Sequence, residues 1–345
     1  MRLKTAGQVV SGCPRGALGW RLDLEVFAPR QFAIWPAPIL LAVLGFCLIC
    51  ALAWSNVVQA LAPAQVAVLV NKRDPNSVRL GEYYLQRRGL APKQLFAVEF
   101  PPGPVLDPAV FARVYRDVTS SLPAQTQALA LAWTYPYRVG CMSVTTAFAA
   151  GYDPAFCATG CKRTRESPYF DSPTRMPFRD HRWRPAMLLA GSSPANARAL
   201  IDRGVASDGT VPSGTAYLLR TSDRQRNVRA RGYRSVLARL QNRFKATIVR
   251  SDSLRGRQDI MFYFTGRKWV TDLSSNGFLP GAVGDHLTSS GGQLDGTKQM
   301  SVLRWLDAGA TGSFGAVVEP CNFLQKFPNP EILMRRYLAG ETLIE

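Results

Sequence analysis

The chain has 345 residues, 47% hydrophobic and 19% charged, a composition that excludes a disordered protein and fits one large domain or two small ones. Its formal net charge is +18, and nearly all of the excess is arginine, with lysine scarce. Such a charge implies either an anionic partner or a set of solvated arginines without one.

The first 33 residues form a basic leader, with Arg2, Lys4, Arg15, Arg21 and Arg30 against Asp23 and Glu25. No charged residue lies between Arg30 and Lys72, and Ile34 to Trp54 is almost wholly apolar. A membrane helix needs about 20 such residues. Trp35 and Trp54 stand near the ends, where indoles prefer the interface, and the positive leader keeps the N-terminus in the cytoplasm. Residues 34–62 are therefore expected to send the chain to a membrane. Two outcomes fit: an inner-membrane anchor with the body facing the periplasm, or a signal cleaved after Val58-Gln59-Ala60. The long leader suits a retained anchor, or a start codon downstream of Met1.

An α/β domain is expected over 65–345, with a mostly parallel sheet flanked by helices. Gln65 to Val70 reads as a strand, and Ser77 can cap a helix running to Arg88 before Gly89. Leu95 to Phe100 and Ala128 to Trp133 read as strands around a helix at Pro108 to Leu122. Two βα units imply right-handed crossovers. Residues 151–184 carry Pro, Arg, Asp and aromatics without a steady period, and read as a long irregular insertion of the kind that often carries function. Strand–helix alternation then resumes: strands at Met187 to Ala190 and Thr215 to Leu219, with a helix at Pro194 to Ala206 between them. A helix at Arg229 to Phe244 and strands at Thr247 to Arg250, Ile260 to Phe264 and Phe278 to Val283 follow. A helix from Thr297 to Ala308, a last strand at Ala316 to Glu319 and a last helix at Pro330 to Leu338 close the chain. No internal repeat is visible.

Four cysteines follow the apolar segment: Cys141, Cys157, Cys161 and Cys321. In an oxidising compartment they could form two disulfides, Cys157 with Cys161 and Cys141 with Cys321; the alternative is four separate thiols. Zinc fits poorly, because the spacing is irregular and the chain has 2 histidines.

Basic residues concentrate around the helix at 229–244. Arg229, Arg231, Arg234, Arg239 and Arg243 are the candidate binding residues there, facing an anionic lipid or envelope polymer. No aromatic ladder is interleaved as a single-strand groove would need, and export argues further against nucleic acid. The oligomeric state is left open.

The densest chemistry lies near the C-terminus: FYFTG at Phe262 to Gly266, PGAVGDHLTSSGG at Pro280 to Gly292, and GATGSFGAVVEPC at Gly309 to Cys321. Ligands of open α/β sheets sit at the C-terminal ends of strands. Asp285 beside His286 could tune a base, and Ser289, Ser290 or Cys321 could act as nucleophile, which defines a hydrolase-like reading. The bland reading makes Asp285 and His286 the ties of a glycine turn and puts Cys321 in a disulfide. Glu319 is a further candidate binding residue; with Asp285 and His286 it makes an irregular metal set, and no metal or cofactor is expected. Gly309, Gly312 and Gly315 follow a helix and lead into a strand, the reverse of a phosphate loop, so they read as tight turns and close packing. His181 reads as a surface residue of the insertion.

These motifs resemble a family of exported bacterial proteins that closes on FYFTG, PGAVxDHLTSxGG and GATGSxGxVxEPC. VNKRDPNSVRLGEYYLQRRGL, Val70 to Leu90, and Tyr135 to Val139 extend the resemblance over most of the chain after Gln65. It implies export and, since members generally run further, a chain that continues past Glu345; it implies no activity. A more distant likeness is to the sheet of caspase–gingipain cysteine peptidases. Thr265-Gly266 stands where their His-Gly would be needed, and no cysteine follows Asp285-His286, so only the fold is implied. The reading that needs no catalytic dyad is a non-enzymatic envelope domain, with the hydrolase-like enzyme as its alternative.

Overall fold

The computed structural model describes residues 61–296 and 298–345. The leader and the apolar segment lie outside the described residues, except Leu61 and Ala62; among the described residues no helix is long and apolar enough to cross a membrane.

The protein is α/β, but its strands form two four-stranded parallel sheets instead of one. The first contains β1 (Val66–Asn71), β2 (Leu95–Val98), β4 (Ala128–Leu131) and β7 (Ala186–Leu188), in the order β2-β1-β4-β7. The second contains β8 (Thr215–Arg220), β9 (Ala246–Arg250), β10 (Ile260–Thr265) and β11 (Phe278–His286), in the order β9-β8-β10-β11. Every pairing in both is parallel. In each sheet the second strand in chain order takes the edge and the third returns beside the first, so two halves without a sequence repeat share one topology. A small sheet of β3 (Val105–Leu106), β5 (Arg138–Val139) and β6 (Met142–Ser143) stands apart.

Most of the helices start at a side-chain cap. Asp74 accepts from the Asn76 N–H ahead of Pro75 to open α1 (Pro75–Arg88), and Gly89 ends it at φ 61°. Asp107 caps α2 (Pro108–Ser121), Ser143 caps α3 (Val144–Ala150) and Ser193 caps α5 (Pro194–Ala206). Ser77, expected as a cap, lies inside α1, and its Oγ accepts from the Asn71 N–H at 2.8 Å. The helix expected at Arg229 to Phe244 is a 3-10 turn at Asn227–Gly232 followed by α6 (Tyr233–Leu240). The helix expected from Thr297 shortens to α7 (Leu303–Asp307), and α8 (Pro330–Leu338) closes the fold.

Alternation along the strands divides the core. Leu69, Leu129 and Leu131 pack under Phe111 of α2 and Phe148 of α3, whereas Val68, Val70 and Ala130 face α1 and α5. In the second sheet Leu218, Phe262 and Phe264 meet Tyr233 of α6 and Met334 of α8. Tyr217, Leu219 and Tyr263 meet Trp305 of α7. The Trp305 ring lies on the backbone of β11: a Cβ added at Gly284 would stand 2.3 Å from it. The backbones at Gly292 and Gly315 cross so closely that a Cβ on Gly315 would be 2.2 Å from the Gly292 nitrogen. The glycine-rich C-terminal run therefore serves close backbone packing.

The insertion holds a 3-10 turn at Pro154–Phe156 and the short α4 (Pro177–His181), and is otherwise irregular. Two disulfides fasten it, with a pairing unlike the expected one. Cys141 joins Cys157, and Cys161 joins Cys321 across 160 residues. Adjacent placement in sequence suggested a Cys157–Cys161 loop; in space each has a nearer partner.

Non-reducing peptide mapping is expected to recover Cys141–Cys157 and Cys161–Cys321, and a Cys157–Cys161 peptide would refute this arrangement. Replacing Cys161 and Cys321 together by serine should lower stability by about 2–5 kcal/mol in urea unfolding.

Candidate functional site

The residues proposed for catalysis lie at the end of β11, in the core. Asp285 and His286 are 1% and 2% exposed. The Asp285 carboxylate pairs with the Arg229 guanidinium, whose side chain is 5% exposed. Arg229 also donates to the Thr265 carbonyl at 2.9 Å and stands over the Phe264 ring. Arg229 therefore does not belong to an exposed anion-binding face: it neutralises a buried carboxylate. Breaking such a pair costs about 3–5 kcal/mol, because one charge is left alone in the interior.

His286 has no nitrogen to spare. The Trp305 Nε1–H, which can only donate, reaches Nδ1 at 2.9 Å, so Nδ1 carries a lone pair. Nε2 then carries the proton and donates to the Met300 carbonyl at 3.0 Å. Burial pushes the pKa of His286 down to about 4, against the opposing pull of Asp285. The ring is a neutral strut between β11 and the segment leading to α7.

The nucleophile candidates do not converge on it. Ser289 and Ser290 are half-buried, and the Ser290 N–H donates to the Gln299 side-chain oxygen at 3.0 Å. Cys321 has no thiol, because its sulfur is bonded to Cys161. Glu319 accepts from the Cys321 N–H at 2.8 Å and so braces that turn. Among the described residues no group of three His, Cys, Asp or Glu side chains could hold a metal ion. Of the remaining arginines, Arg239 pairs with Glu331 at 2.9 Å. Arg231, Arg234 and Arg243 are exposed. His181 is half-buried and shares a 2.8 Å hydrogen bond with Ser172.

A cleft of about 590 Å³ opens elsewhere, between the insertion, β7 and the C-terminal loops. Met142, Phe156, Trp183, Met187, Leu188 and Val317 give it a mostly apolar lining. Both disulfides bear on it. Cys141–Cys157 ties the start of the insertion to the β5–β6 turn, and Cys161–Cys321 fastens its tip to the opposite rim. The charged residues on the wall are Arg165 and Lys326, with no carboxylate among the lining. Arg165 pairs with Asp153 outside the cleft. The Lys326 ammonium donates to the Ala158 and Gly160 carbonyls at 3.3 and 3.4 Å, and burial lowers its pKa, against the pull of Glu319. Tyr137 lines the inner end. Its hydroxyl donates to Asp295 at 2.9 Å, and burial together with that bond raises its pKa to about 12.

Sequence reasoning singled out the insertion but missed the cleft. Trp183 and Lys326 meet only through the fold, and the one legible hint was an irregular, aromatic stretch carrying two cysteines. Compared with known proteins, the chain matches no family model, no curated protein and no solved structure.

The buried imidazole predicts a pH dependence. His286 titrates near 4 when folded and near 6.5 when unfolded, so the unfolded chain binds more protons between those values. Its contribution to stability is complete above pH 6.5 and is lost as pH falls toward 4, by about 3 kcal/mol in all. Denaturant unfolding at stepped pH should show this slope in the wild type and a shallower one in His286→Asn. Equal slopes would mean that His286 is not held neutral.

Proposed function

We propose that this chain is an exported or membrane-anchored envelope domain that binds an apolar ligand in the cleft beside β7 and catalyses no reaction. The observation that carries this reading is the cleft itself: about 590 Å³, apolar, with its rim fastened by two disulfides. Ligand sites typically occupy about 300–1,000 Å³ and combine apolar walls with a few polar groups. Disulfides hold a loop-built wall in place without a core beneath it, and they persist where the compartment is oxidising. The apolar segment at 34–62 and the resemblance to exported bacterial proteins point to the same compartment. A hydrolase-like mechanism would need a base and a nucleophile within reach of each other. His286 is committed to Trp305 and Met300, and Cys321 to Cys161.

N-phenylnaphthylamine, a neutral apolar dye, should bind the full-length chain saturably. Met187→Asp should weaken it by about tenfold with the circular dichroism unchanged. Unsaturable binding, or binding indifferent to that substitution, would remove the reading.

A second reading concerns the outer surface. Exposed Arg231, Arg234 and Arg243 offer charge to an acidic lipid surface. Replacing all three by glutamine should reduce binding to phosphatidylglycerol vesicles at low salt. Binding that does not change with ionic strength would exclude this contact.

A further inference from the structure

β7 is the outer strand of its sheet, and its second edge is open. Toward β4 it is held by the Leu129 N–H donating to the Pro185 carbonyl at 2.9 Å and by the Leu189 N–H donating to the Leu131 carbonyl at 2.8 Å. Parallel pairing engages alternate residues of a strand, so Ala186 and Leu188 turn their N–H and C=O groups away from β4. Among the described residues no hydrogen bond reaches those four groups. Both residues are half-buried and line the cleft.

The facing wall cannot pair with this edge. The sequence pattern suggests a strand at Ala316 to Glu319, but the Ala316 carbonyl accepts from the Gly292 N–H at 3.0 Å, and the Val317 carbonyl from the Gln293 side chain at 2.9 Å. These groups are turned toward the Gly291–Gln293 loop. The result is a slot with an unused strand edge on one side and apolar side chains on the other. Such an edge is a template for another chain. β7 presents three residues, roughly 10 Å of strand.

Charge adds a second constraint. Both charged residues on the wall are cations, Arg165 is already paired, and Lys326 is held by two carbonyls without a carboxylate in contact. The cleft is complementary to an apolar ligand bearing one negative group.

We infer that the cleft takes an extended peptide as an added strand on β7, with apolar side chains against the walls and a carboxylate at Lys326. This rests on the cleft being the binding site, and names its ligand. A hydrocarbon tail would leave the four backbone groups of Ala186 and Leu188 unpaired in a half-buried slot, whereas a peptide backbone supplies a partner for them. The same argument separates a peptide from a fatty acid, which could satisfy Lys326 but not β7.

The test uses the full-length chain in detergent and a displayed library of hexapeptides with free C-termini. Selected peptides should be apolar at alternating positions. A synthetic hit should lose at least about tenfold in affinity when its central amides are N-methylated. It should lose as much against Lys326→Gln and regain binding with Lys326→Arg. Hydrogen exchange at Ala186 and Leu188 should slow on binding, a readout that needs no variant to fold. Hits indifferent to N-methylation would overturn the inference. A library without hits, while N-phenylnaphthylamine still binds the cleft, would overturn it too and leave the binding reading standing. Failure of both probes would remove both.

Discussion

The bond between Cys161 and Cys321 is the covalent link in a seam between the insertion and the C-terminal segment that also holds ion pairs, Asp171 with Arg335 and Arg336 and Arg175 with Glu341 and Glu345. The insertion is largely irregular, its tip is exposed, and it carries few side chains into the core. Its ends are well anchored: buried Arg184 donates to the Thr126 carbonyl at one end, and α3 packs on the first sheet at the other. Between those ends the chain is irregular, and its position comes from the two disulfides together with the ion pairs of Asp171 and Arg175 and the packing of Phe156 on the first core. Cys141–Cys157 sets the near half and Cys161–Cys321 the far half. Together these ties hold one wall of the cleft beside β7.

The second sheet shows how burial decides chemistry. Asp285 and His286 are adjacent at the end of a strand, where α/β proteins place reactive groups. Here that strand end is covered by α7, by the 3-10 turn before α6 and by the approach to α8. Covered carboxylates need a counter-charge, and Arg229 supplies it. A covered imidazole sheds its proton and seeks one donor and one acceptor, which Trp305 and Met300 provide. The imidazole is fully satisfied, whereas Asp285 Oδ1 and Arg229 Nε, also buried, have no hydrogen-bond partner among the described residues. In the cleft the outer edge of β7 is unpaired among the described residues, and the Lys326 ammonium is held by two backbone carbonyls.

Much of the fold was legible. α2 and α5 announce themselves through an Asp or Ser followed by Pro, and β1, β4, β8 and β10 through short, almost wholly buried and mostly apolar runs, because these signals act within one turn or one strand. Ala316 to Glu319 has the composition of a strand, yet Gly292 and Gln293 take its carbonyls before any strand can. Arg229 reads as one more surface arginine, since nothing local marks the one whose guanidinium will meet Asp285, 56 residues away. The candidate site was less legible still, for its parts come from β7, the insertion and the loops around Gly292 and Lys326.

By itself the sequence determined the α/β class, the parallel strands, the helix starts at Pro108, Pro194 and Pro330 and the irregular insertion, because capping, periodicity and glycine geometry are interactions between near neighbours. Only the tertiary structure decided that the strands divide into two sheets, that Cys141 pairs with Cys157 and Cys161 with Cys321, and that Asp285 and His286 are sealed in the core. It also decided that β7 keeps a free edge. These depend on which distant segments come within a few ångströms of one another, a quantity set by packing the whole chain at once and carried by no local pattern.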